Sequence, residues 1–311
     1  MKPVYNKTPL KLAEQLQHLT EKGLSIADSE HAGRVLRRVG LYRLKGYLLP
    51  YKTDQGYRGG VTFAEIEHLM SLDDALRLHI LSAMPLVEVG IRQAITQYML
   101  ETYGLHWYAS PTLFAEPSEY FDHQVFLAKA LDEFGHMPDL FVGHYREKYN
   151  ETVPPPVWMV AETMTLGSWS KLFEAFAQRE DRNRVAQTLG LNGKTLTSWL
   201  HALTIVRNIC AHHSRLYDRT FGTMAVADNR RIRSRLIQAS FAEADKDALR
   251  LAPRLYAVHR LTQALDPGST WTADLKILLH SRSPELLSRI GLRSGWHTQP
   301  EWEPAQPAPT A

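Results

Sequence analysis

The chain has 311 residues, of which 44% are hydrophobic and 22% charged, so it can bury a large core and is too apolar to be disordered. Its formal net charge is only +3, with a pI near 8.8, so affinity for a polyanion requires clustered basic residues rather than bulk charge. A single cysteine, Cys210, excludes a disulfide framework and a thiolate metal cage.

The sequence carries no signal for a membrane or a metal. No positively charged leader with an apolar stretch opens the chain, and no run of about 18 apolar residues occurs. We therefore expect a cytoplasmic protein without a membrane partner. Fourteen histidines are present, but none forms an H-E-x-x-H motif, and the adjacent His212 and His213 diverge by about 100° on a helix. We expect no metal and no cofactor.

Residues 1–60 are predicted to form a helical N-terminal extension with a basic and aromatic stretch. Between His31 and Thr53 there are six Lys or Arg and no acidic residue, and three tyrosines are interleaved. Such a stretch can hold phosphates while stacking on bases. Alternatively, its tyrosines belong to the core and its cations to a solvated helix face, and the sequence favours neither alternative. If the stretch binds RNA, the RNA-binding residues are Arg37, Arg38, Arg43 and Lys45.

The next segment is predicted to be a long helical stretch. A capping box at Thr62–Glu65 opens a helix, and a helical pattern runs from Leu72 to Tyr103 with a kink or division at Pro85. Glu88 and Arg92 stand four residues apart in this pattern, among apolar neighbours. They either form a local ion pair on the helix surface or turn inward to orient a functional site.

A helix predicted from Thr195 to His213 carries the most informative residues of the chain. Along it, an apolar stripe gives way to polar side chains that a core does not need. On a helix Asn208 and His212 share a face, whereas Arg207 lies about 140° round from His212 and needs its long side chain to reach back. An imidazole beside a guanidinium and an amide can move protons around a phosphate.

The order Arg207-Asn208-x-x-x-His212 resembles the R-N-x(3)-H motif of HEPN-superfamily ribonucleases. The longer string from Leu200 to Arg219 is similar to the signature of the Abi-like family, bacterial abortive-infection proteins of phage defence. Other segments resemble the same family, and the resemblance spans about residues 5–220. These further segments are Gly40–Tyr47, the E-x(3)-R pair Glu88 and Arg92, Gly104–Tyr108, Val157–Glu162 and Leu166–Ser170.

The resemblance implies a metal-independent RNA endonuclease in which two copies of the motif meet across a homodimer. His212 would act as general base or acid, Arg207 would hold the charge of the scissile phosphate, and Asn208 would orient the imidazole or donate to a phosphate oxygen. RNA is the implied substrate, and a structured non-coding RNA is a further partner that the family can have. The auxiliary residues expected at the site are His213, Arg215, Glu88 and Arg92. The alternative for His213 is packing or setting the tautomer of His212, and Arg215 either contacts a backbone phosphate or caps the helix.

The C-terminal third carries no further motif. Seven Arg and two Asp lie between Arg207 and Arg235, which predicts either a solvated helix face or a contact with the RNA backbone. On the second alternative the contacts come from Arg230, Arg231 and Arg233. Residues 226–297 are predicted to form C-terminal helices, and residues 298–311 a disordered, proline-rich tail.

These patterns predict an all-α fold, because no alternating strand series occurs. The expected architecture is a HEPN-like helical bundle over residues 61–225, with helical additions at both ends. An RNA endonuclease of phage defence is the leading functional prediction. The alternative is a non-catalytic RNA-binding or protein-interaction helical module in a defence or toxin–antitoxin system. A third alternative, the partner of a nucleotidyltransferase, has no support in this sequence.

Overall fold

The structure is a computed structural model that describes residues 4, 6, 8–149, 153–242 and 248–304. Within these ranges it contains helices and no β-strand, which confirms the predicted all-α fold. No helix in the described part of the chain combines the length and apolarity needed to cross a bilayer. The described residues form the α-helices α1 (Leu12–Glu21), α2 (Ser29–Val39), α3 (Leu41–Leu48), α4 (Phe63–Tyr103), α5 (His123–His136), α6 (Leu140–Lys148), α7 (Val157–Thr163), α8 (Leu166–Glu174), α9 (Arg179–Gln187), α10 (Gly193–Ala211), α11 (Arg230–Arg235), α12 (Ala252–Leu265), α13 (Trp271–Leu278) and α14 (Pro284–Arg289).

The longest helix, α4, has 41 residues and is therefore about 60 Å long. It begins at the predicted capping box, where the Glu65 amide donates to Thr62 Oγ1 at 3.1 Å and the Thr62 amide donates to the Glu65 carboxylate at 2.8 Å. The helix is not divided at Pro85. Proline removes only one helical hydrogen bond, and the buried residues Met84 and Val87 hold the helix in the core on both sides of it.

Helix α10 crosses the middle of the molecule and packs on α4, α8, α9 and α12. Its N-cap is Asn192, whose side-chain oxygen accepts the Thr195 amide at 2.9 Å. A Cβ atom on Gly193 would lie 2.9 Å from the backbone carbon of Arg182, so only glycine lets α9 and α10 approach this closely. The core-facing stripe of α10 includes Leu196, Trp199, Leu200, Leu203, Val206 and Cys210.

The C-terminal helices pack into the same core as α4 and α10. Helix α12 is buried along most of its length against both of them. The prediction of a disordered tail from Thr298 is wrong as far as residue 304, because Trp302 is fully buried and its ring contacts those of Tyr256 and Trp296. Residues 305–311 of that predicted tail lie outside the described residues, as do residues 1–3, 5 and 7 of the predicted extension.

Candidate active site

One face of α10 stays in solvent along its whole length. Lys194, His201 and Asn208 are exposed and follow one another at seven-residue spacing, which brings each back to the same side of the helix after two turns. His212 continues this face, because its amide donates to the Asn208 carbonyl at 2.9 Å as in a regular helix. The predicted pair Asn208 and His212 is therefore side by side at the surface, where a macromolecular substrate can reach it.

Helix α10 ends at Ala211, two residues before the predicted end. The Ser214 amide donates to the Ile209 carbonyl at 2.9 Å and the His213 amide to the Cys210 carbonyl at 3.0 Å, which is a Schellman termination. The residue that must turn left-handed in this motif is usually glycine, but here it is His213, with φ of 56°. A histidine in that conformation costs about 1 kcal/mol, so neighbouring contacts must hold the turn.

Arg207 is tied to α4 by an ion pair. Its Nε donates to Glu88 Oε1 at 3.0 Å, and its Nη1 lies 3.5 Å from the side-chain oxygen of Asn208. The Arg207 side chain is 41% exposed and that of Glu88 26%, so the pair is accessible from solvent. A guanidinium has five N–H donors, and the bond to Glu88 therefore leaves others for an anion. The structure thus brings Glu88 to the predicted catalytic residues, 119 positions along the chain.

Arg92 makes a separate contact. Its Nη1 lies 2.9 Å from Glu162 Oε2 on α7 and donates to the Ala161 carbonyl at 3.4 Å. The two members of the predicted E-x(3)-R pair therefore bind different helices, Glu88 reaching α10 and Arg92 reaching α7. A local ion pair between Glu88 and Arg92 is therefore not the arrangement in the structure, and an orienting role at the site stays a prediction.

A buried polar cluster that sequence analysis missed adjoins the end of α10. Asp73 is fully buried and accepts hydrogen bonds from the Tyr217 amide and the Tyr47 hydroxyl, each at 2.7 Å. Arg77 pairs with Asp73 at 2.5 Å and donates to the Ser214 carbonyl at 3.3 Å. Burial, together with the charge of Asp73, raises the pKa of Tyr47 to about 12. The cluster fastens the segment that follows His213 to α4.

A sequence signal for this cluster does exist. Asp73 and Arg77 occupy successive positions of the buried stripe of α4, between Met70 and Ile80. An acid and a base four residues apart on a stripe that is otherwise apolar indicate a buried ion pair. The backbone partners at the end of α10 are about 140 residues away, and no local pattern points to them.

Two other predicted residues lie close to the end of α10. Arg43 donates to the His213 carbonyl and lies 3.7 Å from the Asp74 carboxylate. Arg215 donates to the Tyr217 carbonyl, and its side chain packs over Gly46, where a Cβ atom would meet it at 3.6 Å. Arg43 thus helps to hold the left-handed turn, whereas Arg215 packs beside it and does not cap α10 through these contacts.

The remaining predicted RNA-binding residues lie on three helices. Those of α2 and α11 are exposed, as both alternatives for them require. In the basic and aromatic stretch the tyrosines divide between the two alternatives, because Tyr47 is fully buried whereas Tyr42 is 94% exposed. Lys45 on α3 contacts His18 Nε2 at 3.0 Å. The exposed basic residues are Arg37, Arg38, Arg230, Arg231 and Arg233.

The chemistry that these groups can perform is acid–base catalysis together with anion binding. Burial raises the pKa of the Cys210 thiol to about 12, so this thiol is not a nucleophile at neutral pH. In the described ranges no group of three or more His, Cys, Asp or Glu side chains is placed to hold a metal ion. What the surface offers is an imidazole, a carboxamide and a guanidinium held by a carboxylate.

Comparison with known proteins defines the class to which this all-α chain belongs. The sequence model of the family described as Abi-like protein matches residues 34–218, more than half of the chain. The chain therefore belongs to the Abi-like protein family, which confirms its resemblance to that family and links it to abortive-infection phage defence. Comparison with the curated proteins and with the solved structures gives no match.

Proposed function

We propose that this protein is a metal-independent RNA endonuclease that acts in phage defence. The observation that carries the proposal is the exposed end of α10, where Asn208 and His212 share a face and Arg207 is held by Glu88. RNA supplies its own nucleophile, the 2′-OH. A site therefore needs only a base, an acid and a group that neutralises the phosphate.

The proposed reaction is a transesterification. The 2′ oxygen attacks the neighbouring phosphorus, its proton passes to a base, and the 5′ oxygen leaves as it takes a proton from an acid. The products are a 2′,3′-cyclic phosphate and a 5′-hydroxyl. His212 is the base or the acid, Arg207 binds the phosphate oxygens, and Asn208 orients the imidazole or donates to the phosphate. Glu88 fixes the guanidinium through Nε.

A second copy of the chain would supply the second imidazole that this reaction needs. Apolar side chains are exposed on the helices that carry the ion pairs, which favours a protein interface there. Val89 on α4 is 51% exposed, Trp158 on α7 49% and Ile205 on α10 37%. Ile205 lies three residues before Asn208, on the same face of α10. We therefore include a homodimer, joined beside the motif, in the proposal.

The catalytic part is tested by RNA cleavage in the presence of a chelator. His212→Ala and Arg207→Ala should each slow cleavage by about 100-fold or more, because an acid–base group and a group that neutralises the phosphate each contribute factors of this order. The matched control is His280→Ala, which removes another exposed imidazole and should cleave like the wild type. Thermal unfolding of each variant shows whether the fold is retained, and the wild-type product should carry a cyclic phosphate at its 3′ end.

Cleavage at the wild-type rate by both variants would show that the nuclease proposal is wrong. If the wild type itself does not cleave RNA, the non-catalytic RNA-binding or protein-interaction module is the remaining function. In cells, overexpression of the wild type should slow growth, and His212→Ala should relieve that toxicity at equal protein levels.

The dimer part has its own test. Trp158→Glu changes α7 without touching the catalytic residues, and it should give a monomer by light scattering together with a loss of cleavage. Leu140→Glu is the matched control, since Leu140 is 93% exposed on α6 and should tolerate the same change. A monomeric Trp158→Glu variant that cleaves at the wild-type rate would show that one chain suffices for the site.

A further inference from the structure

A cleft with a volume of about 1080 Å³ opens beside the N-terminal half of α10. Its walls are residues 115–121, the last turns of α8, the start of α9 and the start of α10. This volume is slightly above the range usual for small-molecule sites. None of the catalytic residues proposed above lines it, so the proposed reaction leaves the cleft without a role.

An aromatic wall separates this cleft from a second cavity of about 290 Å³. Tyr120 and Phe121 line both spaces. Phe121 is fixed by ring contacts with Phe114 and Phe126, with centroid distances of 5.8 and 5.7 Å. Tyr120, by contrast, is 77% exposed and presents its ring at the rim. An exposed ring that lines a cleft is suited to stack on a nucleic-acid base.

Cations line the same cleft. Lys171, Arg179 and Lys194 are exposed and stand on three different helices, α8, α9 and α10. Arg182 also lines the cleft, but it donates to the carbonyls of Phe176 and Glu174 and so braces the α8–α9 connection. The acidic residues of the lining are Glu116, Glu119 and Glu174. Because the two signs are mixed, the cleft suits a few phosphates beside bases better than the dense charge of a duplex.

The cleft is continuous with the exposed face of α10. Lys194 and His201 line the cleft and belong to the face that continues to Asn208 and His212. His201 and His212 are eleven residues apart, or about 16 Å along the helix. A strand lying on this face would therefore reach from the cleft to the proposed catalytic residues. Single-strand sites of about 4–16 nucleotides commonly extend this far.

We propose that the cleft binds the single-stranded part of the RNA next to the cleaved bond. One base stacks on Tyr120, and Lys171, Arg179 and Lys194 contact backbone phosphates. The proposal rests on the nuclease function proposed above, because it names the form of RNA that the same enzyme takes and the path by which it reaches His212. A double-stranded RNA would find no such path, since its bases are not free to stack on a side chain.

Binding is measured in the His212→Ala background, so that cleavage cannot alter the ligand. The probe is a fluorescently labelled single-stranded RNA of about 12 nucleotides, and the readout is its anisotropy. Adding Tyr120→Ala should weaken binding by about 5- to 160-fold, the range for loss of one stacked base. Tyr120→Phe should restore most of the affinity, because stacking needs the ring and not the hydroxyl. A hairpin duplex of the same length should bind at least about tenfold more weakly than the single strand.

The phosphate contacts are tested by salt dependence. The double change Arg179→Ala and Lys194→Ala should reduce the slope of log affinity against log salt by about 1.4, or about 0.7 for each lost contact. Arg184→Ala is the matched control on α9, because Arg184 is exposed, lies outside the cleft and pairs with Glu180. It should leave the slope unchanged.

Two results would overturn the inference. One is an unchanged affinity and salt slope in the Tyr120→Ala and double variants. The other is a loss of binding with Tyr42→Ala in place of Tyr120→Ala, which would put the RNA along α3. The outcome is separable from that of the proposed function. Strand binding through the cleft by a wild type that does not cleave would contradict only the nuclease, whereas cleavage that is indifferent to the cleft variants would contradict only the path.

Discussion

The end of α10 has a buried polar side and an exposed polar side. On the buried side, Asp73 and Arg77 are 0% and 4% exposed and bind the backbone of the segment after the helix. On the exposed side, Asn208 and His212 face solvent, and Arg207 is anchored through one of its donors. The buried groups direct their hydrogen bonds at the protein itself, whereas the exposed groups keep donors for a ligand. Stability and chemistry are thus assigned to opposite sides of one helix end.

The largest effect is expected from Asp73→Asn. The change removes the buried charge that Arg77 and the two amides of Leu216 and Tyr217 require, so the buried guanidinium keeps only Asp74, which is largely exposed, as an ion-pair partner. We expect the free energy of unfolding to fall by about 3–5 kcal/mol. Denaturant unfolding measures it. Asp74→Asn is the matched control, because Asp74 pairs with the same guanidinium but is 58% exposed, so its loss should cost about 1 kcal/mol or less. Equal losses of unfolding free energy in the two variants would show that the buried carboxylate stabilises the fold no more than the exposed one.

A second test extends the comparison to a buried histidine with no proposed catalytic role. Burial lowers the pKa of His259 from 6.5 to about 4, and its ring nitrogens contact Thr272 Oγ1 and the Glu301 carbonyl. As the pH falls, His259 is therefore protonated at a higher pH in the unfolded chain than in the folded protein. The stabilisation is complete above pH 6.5 and is lost as the pH falls toward 4, by about 3 kcal/mol. His259→Gln should flatten this part of the unfolding profile, and His280→Gln should not. If the unfolding free energy of the wild type depends on pH as little as that of His259→Gln, the loss of stability does not come from His259.

On the exposed side we expect a substitution to affect RNA cleavage more than the free energy of unfolding. Glu88→Gln keeps an acceptor beside Arg207 Nε but removes the charge that holds the guanidinium. The pair is partly exposed, so the free energy of unfolding should change by less than about 1 kcal/mol. Single-turnover RNA cleavage should slow by about tenfold, with a smaller change in RNA affinity, as expected of a positioning residue. Greater damage to stability than to cleavage would show that Glu88 belongs functionally to the buried side.

The smallest effect is expected from a substitution of His213, which tests whether its role differs from that of His212. His213→Gly places glycine, which a left-handed turn prefers, at φ of 56°. The free energy of unfolding should therefore rise by about 0.5–1 kcal/mol. Cleavage should stay within about threefold of the wild type if the turn, and not the imidazole, is the contribution of His213. A loss comparable to that of His212→Ala would instead make His213 catalytic.

Local patterns predicted much of the fold and the position of the site. The capping box at Thr62 marked the start of α4, helical periodicity located α10, and the spacing of Asn208 and His212 placed them on one face. These features depend on residues within a few positions of one another, and such residues are what a sequence pattern records.

The rest depends on contacts between distant residues. The helix end was predicted two residues late because His213 occupies a position where glycine would have signalled the turn. Proline at position 85 suggested a division that burial on both sides overrides. The Asp73 cluster and the cleft beside α10 arise only when α4, α8, α9 and α10 come together. Neither can be read from a single segment.

The packing of α12 determines where the chain can be shortened. The family match ends at residue 218, yet α12, more than thirty residues further on, covers faces of both α4 and α10. Gly90, two residues after Glu88, has no Cβ, and one placed there would collide with Leu265 of α12. A polypeptide that stops at residue 218 would expose those apolar faces to water and would aggregate instead of folding alone. The recognisable part of the sequence is therefore smaller than the unit that folds.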